Sequence, residues 1–264
     1  MQGEPFVRPG SIVRRIWGDA DLVLLVFAGA AAEFALNRAV DWLFVTRALP
    51  RDPLGRLFTT ASYAQDIAFA DVGSAQSAFA RIRATHEAVE RKGGGKIPAW
   101  AHRDVLYLLV DYSERAFRSV HRPLKPPEQE ELWDVFRRIG VGLGIPELPE
   151  DYPAWRVDRG IHLERDLVYS ERSAELFDAY RRHLGPWRYA LLQQIQLALL
   201  PERVRQLLDL PLLDWVGPLL PLYPAVAELG LGSLIQRALV PPQHLAAVQR
   251  LNQPVTAREA PAWP

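Results

Sequence analysis

Apolar residues recur at every third or fourth position along almost the whole chain, and no stretch shows the alternation of a half-buried strand. That pattern restricts the fold class to all-α. Prolines and glycines then cut the periodic stretches into pieces. Leu49-Pro50-Arg51-Asp52-Pro53 breaks one helix, and Asp52 followed by Pro53 reads as the N-cap and first turn of the next. Lys92-Gly93-Gly94-Gly95 stops another, Pro123, Pro126 and Pro127 form a stiff connector, and Gly144 with Pro146 closes a third. The expected helices cover residues 19–48, 53–69, 71–91, 101–118, 127–143, 150–163, 171–182, 186–209 and 241–251. An irregular arm is expected over 1–16 and a proline-punctuated apolar segment over 210–227. No repeat or domain boundary stands out, so the expectation is one globular helical bundle, 1–264, with loose ends at 1–10 and 252–264.

The first long helix carries no charge over residues 22–32 and is apolar all round, which predicts a central position. It is too short to span a bilayer, which takes about 20 apolar residues. Polar residues then enter, and a continuous helix would stack Glu33, Asn37 and Asp41 on one face. No apolar leader precedes Asp19 and Asp21, so the expected location is cytoplasmic. The Leu- and Pro-rich tail leaves a weak membrane-surface contact open.

Composition removes several chemistries. The chain has no cysteine, which excludes disulfides, zinc–thiolate and iron–sulfur sites, thiolate-ligated haem and cysteine nucleophiles. Its one methionine is Met1, which argues against Met-ligated haem. Any metal or haem is left with His, carboxylate or Tyr. Acidic and basic residues balance at 31 each, against a dedicated nucleic-acid binder. All the basic residues are arginine except Lys92, Lys96 and Lys125.

Among the histidines, His86 differs in placement. Ala75, Ala78, Phe79, Ile82, His86 and Val89 form one helical stripe, so its imidazole is expected to face the core. Two readings follow: a core histidine satisfied by a partner, or an axial iron ligand, which also needs a neutral imidazole in an apolar wall. Arg81 and Arg83 flank it, either as solvated surface or as cations for haem propionates. His162, within His162-Leu163-Glu164-Arg165-Asp166, reads as helix surface, as do His183 and His244. No HExxH, GxSxG or phosphate-loop pattern is present. In the stretch from Arg51 to Thr60, Gly55 so early in a helix suggests close packing upon it. Arg56 there offers a fork to a carboxylate, structurally Asp52 or Glu33.

The ordered elements resemble a known family. Asp52-Pro53-Leu54-Gly55-Arg56-Leu57-Phe58-Thr59-Thr60 fits a DPxGRLxxT run, followed by Tyr63 and by Arg81, Arg83, His86 and Val89 in an R-x-R-x-x-H-x-x-V element. Arg122-Pro123-Leu124 with Glu128 and Glu131, the segment 140–149, and the entry motif Arg15-Ile16-Trp17-Gly18-Asp19 follow the same pattern. Over roughly residues 11–210 these resemble the MpaB/rubber oxygenase family. The resemblance implies a globin-like all-α core that binds haem b and uses dioxygen on isoprenoid chains. By position, His86 is implied as the iron ligand, with Arg56 and Thr60 near the distal side. Thr59 stands where a rubber oxygenase carries an iron-capping lysine. The family's catalytic glutamate falls near Val40–Asp41, which makes Asp41 the candidate base.

The resulting expectation is a haem b-dependent oxygenase acting on an apolar small molecule. His86 binds iron, Arg83 and Arg56 serve the cofactor, and Asp41, Arg56 and Thr60 serve catalysis. The rival is a non-enzymatic helical protein that binds haem or lipid, or scaffolds a partner, with His86 merely buried.

Overall fold

A helix without charge between Asp21 and Glu33 has no face to offer water, and the fold encloses it. The computed structural model describes residues 3–40, 44, 52–93, 95–210 and 213–252. Its principal helices are α1 (Ile12–Trp17), α2 (Ala20–Leu36), α3 (Pro53–Phe69), α4 (Val72–Gly93), α5 (Ala99–Val120), α6 (Pro126–Gly142) and α7 (Tyr152–Asp166). Then come α8 (Glu171–Leu184), α9 (Pro186–Leu199), α10 (Glu202–Leu207), α11 (Tyr223–Glu228), α12 (Gly232–Leu239) and α13 (Leu245–Asn252). Two 3-10 turns, Gly217–Leu222 and Pro242–His244, complete the tail. The described residues contain no strand, only the isolated antiparallel bridges Pro5–Asp71 and Asn37–Leu167. The all-α expectation holds.

Helix α2 runs along α5, with α1, α3, α8, α9 and α10 closing its other sides. The α2–α5 approach depends on Gly29, because a Cβ there would collide with the ring of Tyr112. Trp17 packs edge-on to Phe27 and beside Phe136, while Tyr107, Trp133 and Trp155 form a second aromatic cluster joining α5, α6 and α7. Two motifs singled out in the sequence prove to be joints. Asp19 caps α2 by accepting from the backbone N–H groups of Asp21 and Leu22, and Trp17 Nε1 donates to Ser113. Arg122 grips Glu128 through two bonds of 2.7 Å, and the same carboxylate receives the Lys125 N–H at the start of α6. At its other end α6 stops where Gly144 takes φ +78°.

Short helices at Tyr223–Glu228 and Gly232–Leu239 were not expected, and three further differences shape the core. Residues 12–17 are helical rather than part of an irregular arm, capped by Ser11, with Ile12, Val13, Ile16 and Trp17 buried. The long helix ends at Leu36 instead of continuing to 48. Asn37 is extended there because its side chain is committed elsewhere: Nδ2 donates to Asp104 at 2.5 Å and Oδ1 accepts from Ala39. The backbone turns aside to meet α7, with Val168 donating to Leu36 and Arg38 to Asp166. The expected row of Glu33, Asn37 and Asp41 on one helical face therefore does not form. Asp41 itself lies outside the described residues. Finally, the expected helix 186–209 divides into α9 and α10 at Leu200 and Pro201, since a proline ring cannot continue the ladder.

No helix among the described residues is long and apolar enough to cross a membrane.

Candidate functional site

The first half of α4 buries Ala75, Ala78 and Phe79 against the bundle, but its second half is only half-buried at Ile82, His86 and Val89. Helix α4 rests on α3 and on α6. The α6 contact needs Gly142, whose missing side chain makes room for the Phe79 ring. Arg83 reinforces it by donating to the Gly142 carbonyl. Beyond that contact His86 does not enter the deep core as the stripe suggested. Its ring instead lies against His102 of α5, with centroids 4.7 Å apart and planes tilted by 35°.

Burial pushes the His86 imidazole down to about 4, helped by the neighbouring His102 and opposed by Glu90. Burial likewise lowers His102, again against Glu90. Both rings are therefore neutral at pH 7, and a neutral imidazole keeps a lone pair for a metal. Glu90 is tied down, its Oε1 accepting the Ile97 N–H at 2.9 Å. His102 was not singled out in the sequence, and no spacing could have found it, because it meets His86 only through the packing of two helices.

Arg56 sits half-buried on α3, and no hydrogen bond or ion pair engages its guanidinium among the described residues. Burial lowers its pKa. Both acids expected to pair with it are occupied. Asp52 caps α3 through the Gly55 N–H, and its carboxylate fills the space that a Gly55 side chain would need. Glu33 belongs to Arg159. Thr59 and Thr60 turn their hydroxyls back onto their own helix, donating to the carbonyls of Gly55 and Arg56 at 2.8 and 2.9 Å. No hydrogen bond or ring contact joins Arg56 or Thr60 to His86. Thr60 and Arg81 are exposed.

A second group of polar residues, buried between α2, α5 and α7, corrects the reading of His162 as surface. Its side chain is 2% exposed. Nδ1 touches Asp104 Oδ1 and lies 3.1 Å from Asp166 Oδ2, while Nε2 is 3.8 Å from Asp158. Part of the signal was present, since His162 and Asp166 are four apart and share a helical face. Nearby, Arg159 reaches both oxygens of Glu33 and also Asp111 Oδ2. Burial pushes the Asp111 carboxyl up, but Arg159 and Arg115 outweigh it and hold it below the ordinary range. His244 is also buried rather than superficial, its ring against Phe58. His183 is half-buried, with Nδ1 at 2.8 Å from the Ala179 carbonyl.

Compared with known proteins, residues 14–227 match the family model described as ER-bound oxygenase mpaB/B'/Rubber oxygenase, catalytic domain. No curated protein and no solved structure gives a significant match.

Proposed function

The chain belongs to the ER-bound oxygenase mpaB/B'/rubber oxygenase catalytic-domain family, and from that premise we propose that it is a haem b-dependent oxygenase acting on an apolar, isoprenoid-type small molecule. The observation that carries the reading is His86, a neutral imidazole held at the half-buried end of α4 rather than sealed in the core.

The donor chemistry fits the cofactor. With no cysteine, and with methionine only at Met1, an iron ligand would be nitrogen or oxygen, and His86 offers nitrogen at neutral pH. Arg56 is a half-buried cation without an acidic partner among the described residues, which suits a propionate or another bound anion. Arg83 already holds the Gly142 carbonyl, so its contribution to the cofactor would come through fixing α4 against α6. Haem iron, when bound, supplies the binding and activation of dioxygen. The chain's own residues would hold the iron through His86, balance negative charge through Arg56, and exclude water with the apolar flank of α4. Thr60 stiffens the turn that presents Arg56. Asp41 is the carboxylate proposed to take up an allylic proton from the substrate. The globin-like character of the core is part of the same proposal.

The test is a visible spectrum of the full chain supplied with haem, oxidised and reduced. A Soret band that disappears in His86→Ala supports the reading, and a colourless wild-type protein ends it.

One observation favours a second reading, a haem or lipid carrier without turnover. Leu213, Trp215, Leu219, Leu222, Leu229 and Leu234 stand exposed along the tail, an apolar surface suited to a weak membrane contact. Oxygen consumption with an isoprenoid substrate separates the two, because a carrier shows none.

A further inference from the structure

We propose that His102 of α5 is the positioning residue of the iron site, a role that rests on reading His86 as the iron ligand. His102 fixes the plane of the His86 ring, and with it the direction in which His86 offers its lone pair.

Rotation of an imidazole about its bond to Cβ is soft, so a histidine ring takes its plane from its neighbours. A histidine that ligates a metal usually has its second ring nitrogen tied to a carboxylate or a carbonyl, which sets that plane. His86 lacks such a tie. Among the described residues no hydrogen bond or ion pair engages either of its nitrogens. The charged residues one turn away on either side are occupied: Glu90 accepts the Ile97 N–H, and Arg83 donates to the Gly142 carbonyl.

What remains is a contact between rings. The His102 imidazole lies against that of His86 with centroids 4.7 Å apart and planes tilted by 35°, an offset arrangement of two half-buried rings. The two helices differ in how firmly they are held. Helix α5 is wedged against α2 at Gly29 and joined to α1 by the bond from Trp17 to Ser113, and Ala101, next to His102, is buried. The second half of α4 is only half-buried. A firmly packed helix thus presents a flat ring to a ligand carried on a looser one. Without that ring the imidazole spreads over several orientations, and affinity for iron falls with the fraction that points correctly.

The test uses the full chain loaded with haem, as wild type, His102→Ala and His102→Phe. The readouts are electron paramagnetic resonance of the ferric form, resonance Raman of the ferrous form, and the rate of haem transfer to an acceptor protein in excess. Wild type is expected to give one set of g values and one iron–histidine stretching band. His102→Ala should keep a Soret band, broaden both signals and lose haem about 10- to 100-fold faster. His102→Phe should restore all three, because a flat ring takes the same place. A purely structural role moves the urea midpoint and leaves both spectra alone. If His102→Ala fails to fold, His102→Leu replaces it, since leucine fills the space without a flat face. Wild-type spectra and haem retention in the alanine or leucine variant overturn the proposal, and so does a phenylalanine variant that behaves like alanine. Both outcomes leave the haem reading standing. A Soret band that survives His86→Ala and vanishes in His102→Ala makes His102 the ligand and overturns both, as does a wild type that takes up no haem.

Discussion

Arg159 and Glu33 meet head-on in the interior, guanidinium to carboxylate, through bonds of 2.7 and 2.6 Å between α7 and α2. Their side chains are 3% and 1% exposed, and Asp111 takes a further share of the same guanidinium. Removing the cation strands Glu33 out of water and leaves Asp111 to Arg115 and Arg156 alone, and such a loss typically costs about 3–5 kcal/mol. Arg159→Met is expected to lose stability on that scale in urea denaturation. Arg159→Lys should recover only part of it, because an ammonium lacks the two-pronged geometry.

Arg56 behaves oppositely. Its guanidinium has no structural partner among the described residues, so Arg56→Gln should change the stability of the cofactor-free chain by less than about 0.5 kcal/mol. If it serves a bound anion, haem affinity falls while the fold is kept. Paired urea denaturation and haem titration of the variant check both halves, and intact haem affinity would remove Arg56 from the site.

The His86 ring gives a pH dependence of defined sign. Its pKa falls from an ordinary 6.5 to about 4 on folding, so between those values the unfolded chain binds more protons. This group's share of stability is level above pH 6.5, is lost as pH falls toward 4, and is level again below. Comparing wild type with His86→Gln across that window isolates the contribution, since both carry the same carboxylates. An NMR titration of the ring should show a midpoint near 4 in the cofactor-free protein; a midpoint near 6.5 would mean the ring is solvated.

Gly29 sets the distance between α2 and α5. Gly29→Ala pushes a methyl group into the Tyr112 ring, in a core with little freedom to relax. Overpacking of this kind costs about 1–3 kcal/mol, outweighing the gain in helix propensity. Thermal unfolding provides the measurement, and a stabilised variant would show that α5 shifts freely.

Much of the helical layout was legible in advance because its signals are local. Pro53–Phe69 matched expectation at both ends: Asp52 caps and Pro53 starts a helix through atoms only a few residues away. The end of α2 was not legible. Asn37 leaves the helix because Asp104, 67 residues on, takes its side chain, and nothing in the run from 20 to 48 records that partner. His162 shows the same limit. A histidine amid Glu164, Arg165 and Asp166 looks solvated until α7 lies against α5.

Amino-acid order alone determined the all-helical class, the central place of α2, the caps and stops, and the resemblance that led to His86. Each rests on hydrogen bonding or periodicity within a few turns, where neighbours in sequence are neighbours in space. Only the tertiary structure decided that His86 faces His102, that Arg56 has no acidic partner among the described residues, and that Asp104, His162 and Asp166 converge. Those relations join side chains on separate helices, and their distances follow from how whole helices pack, which no local pattern specifies.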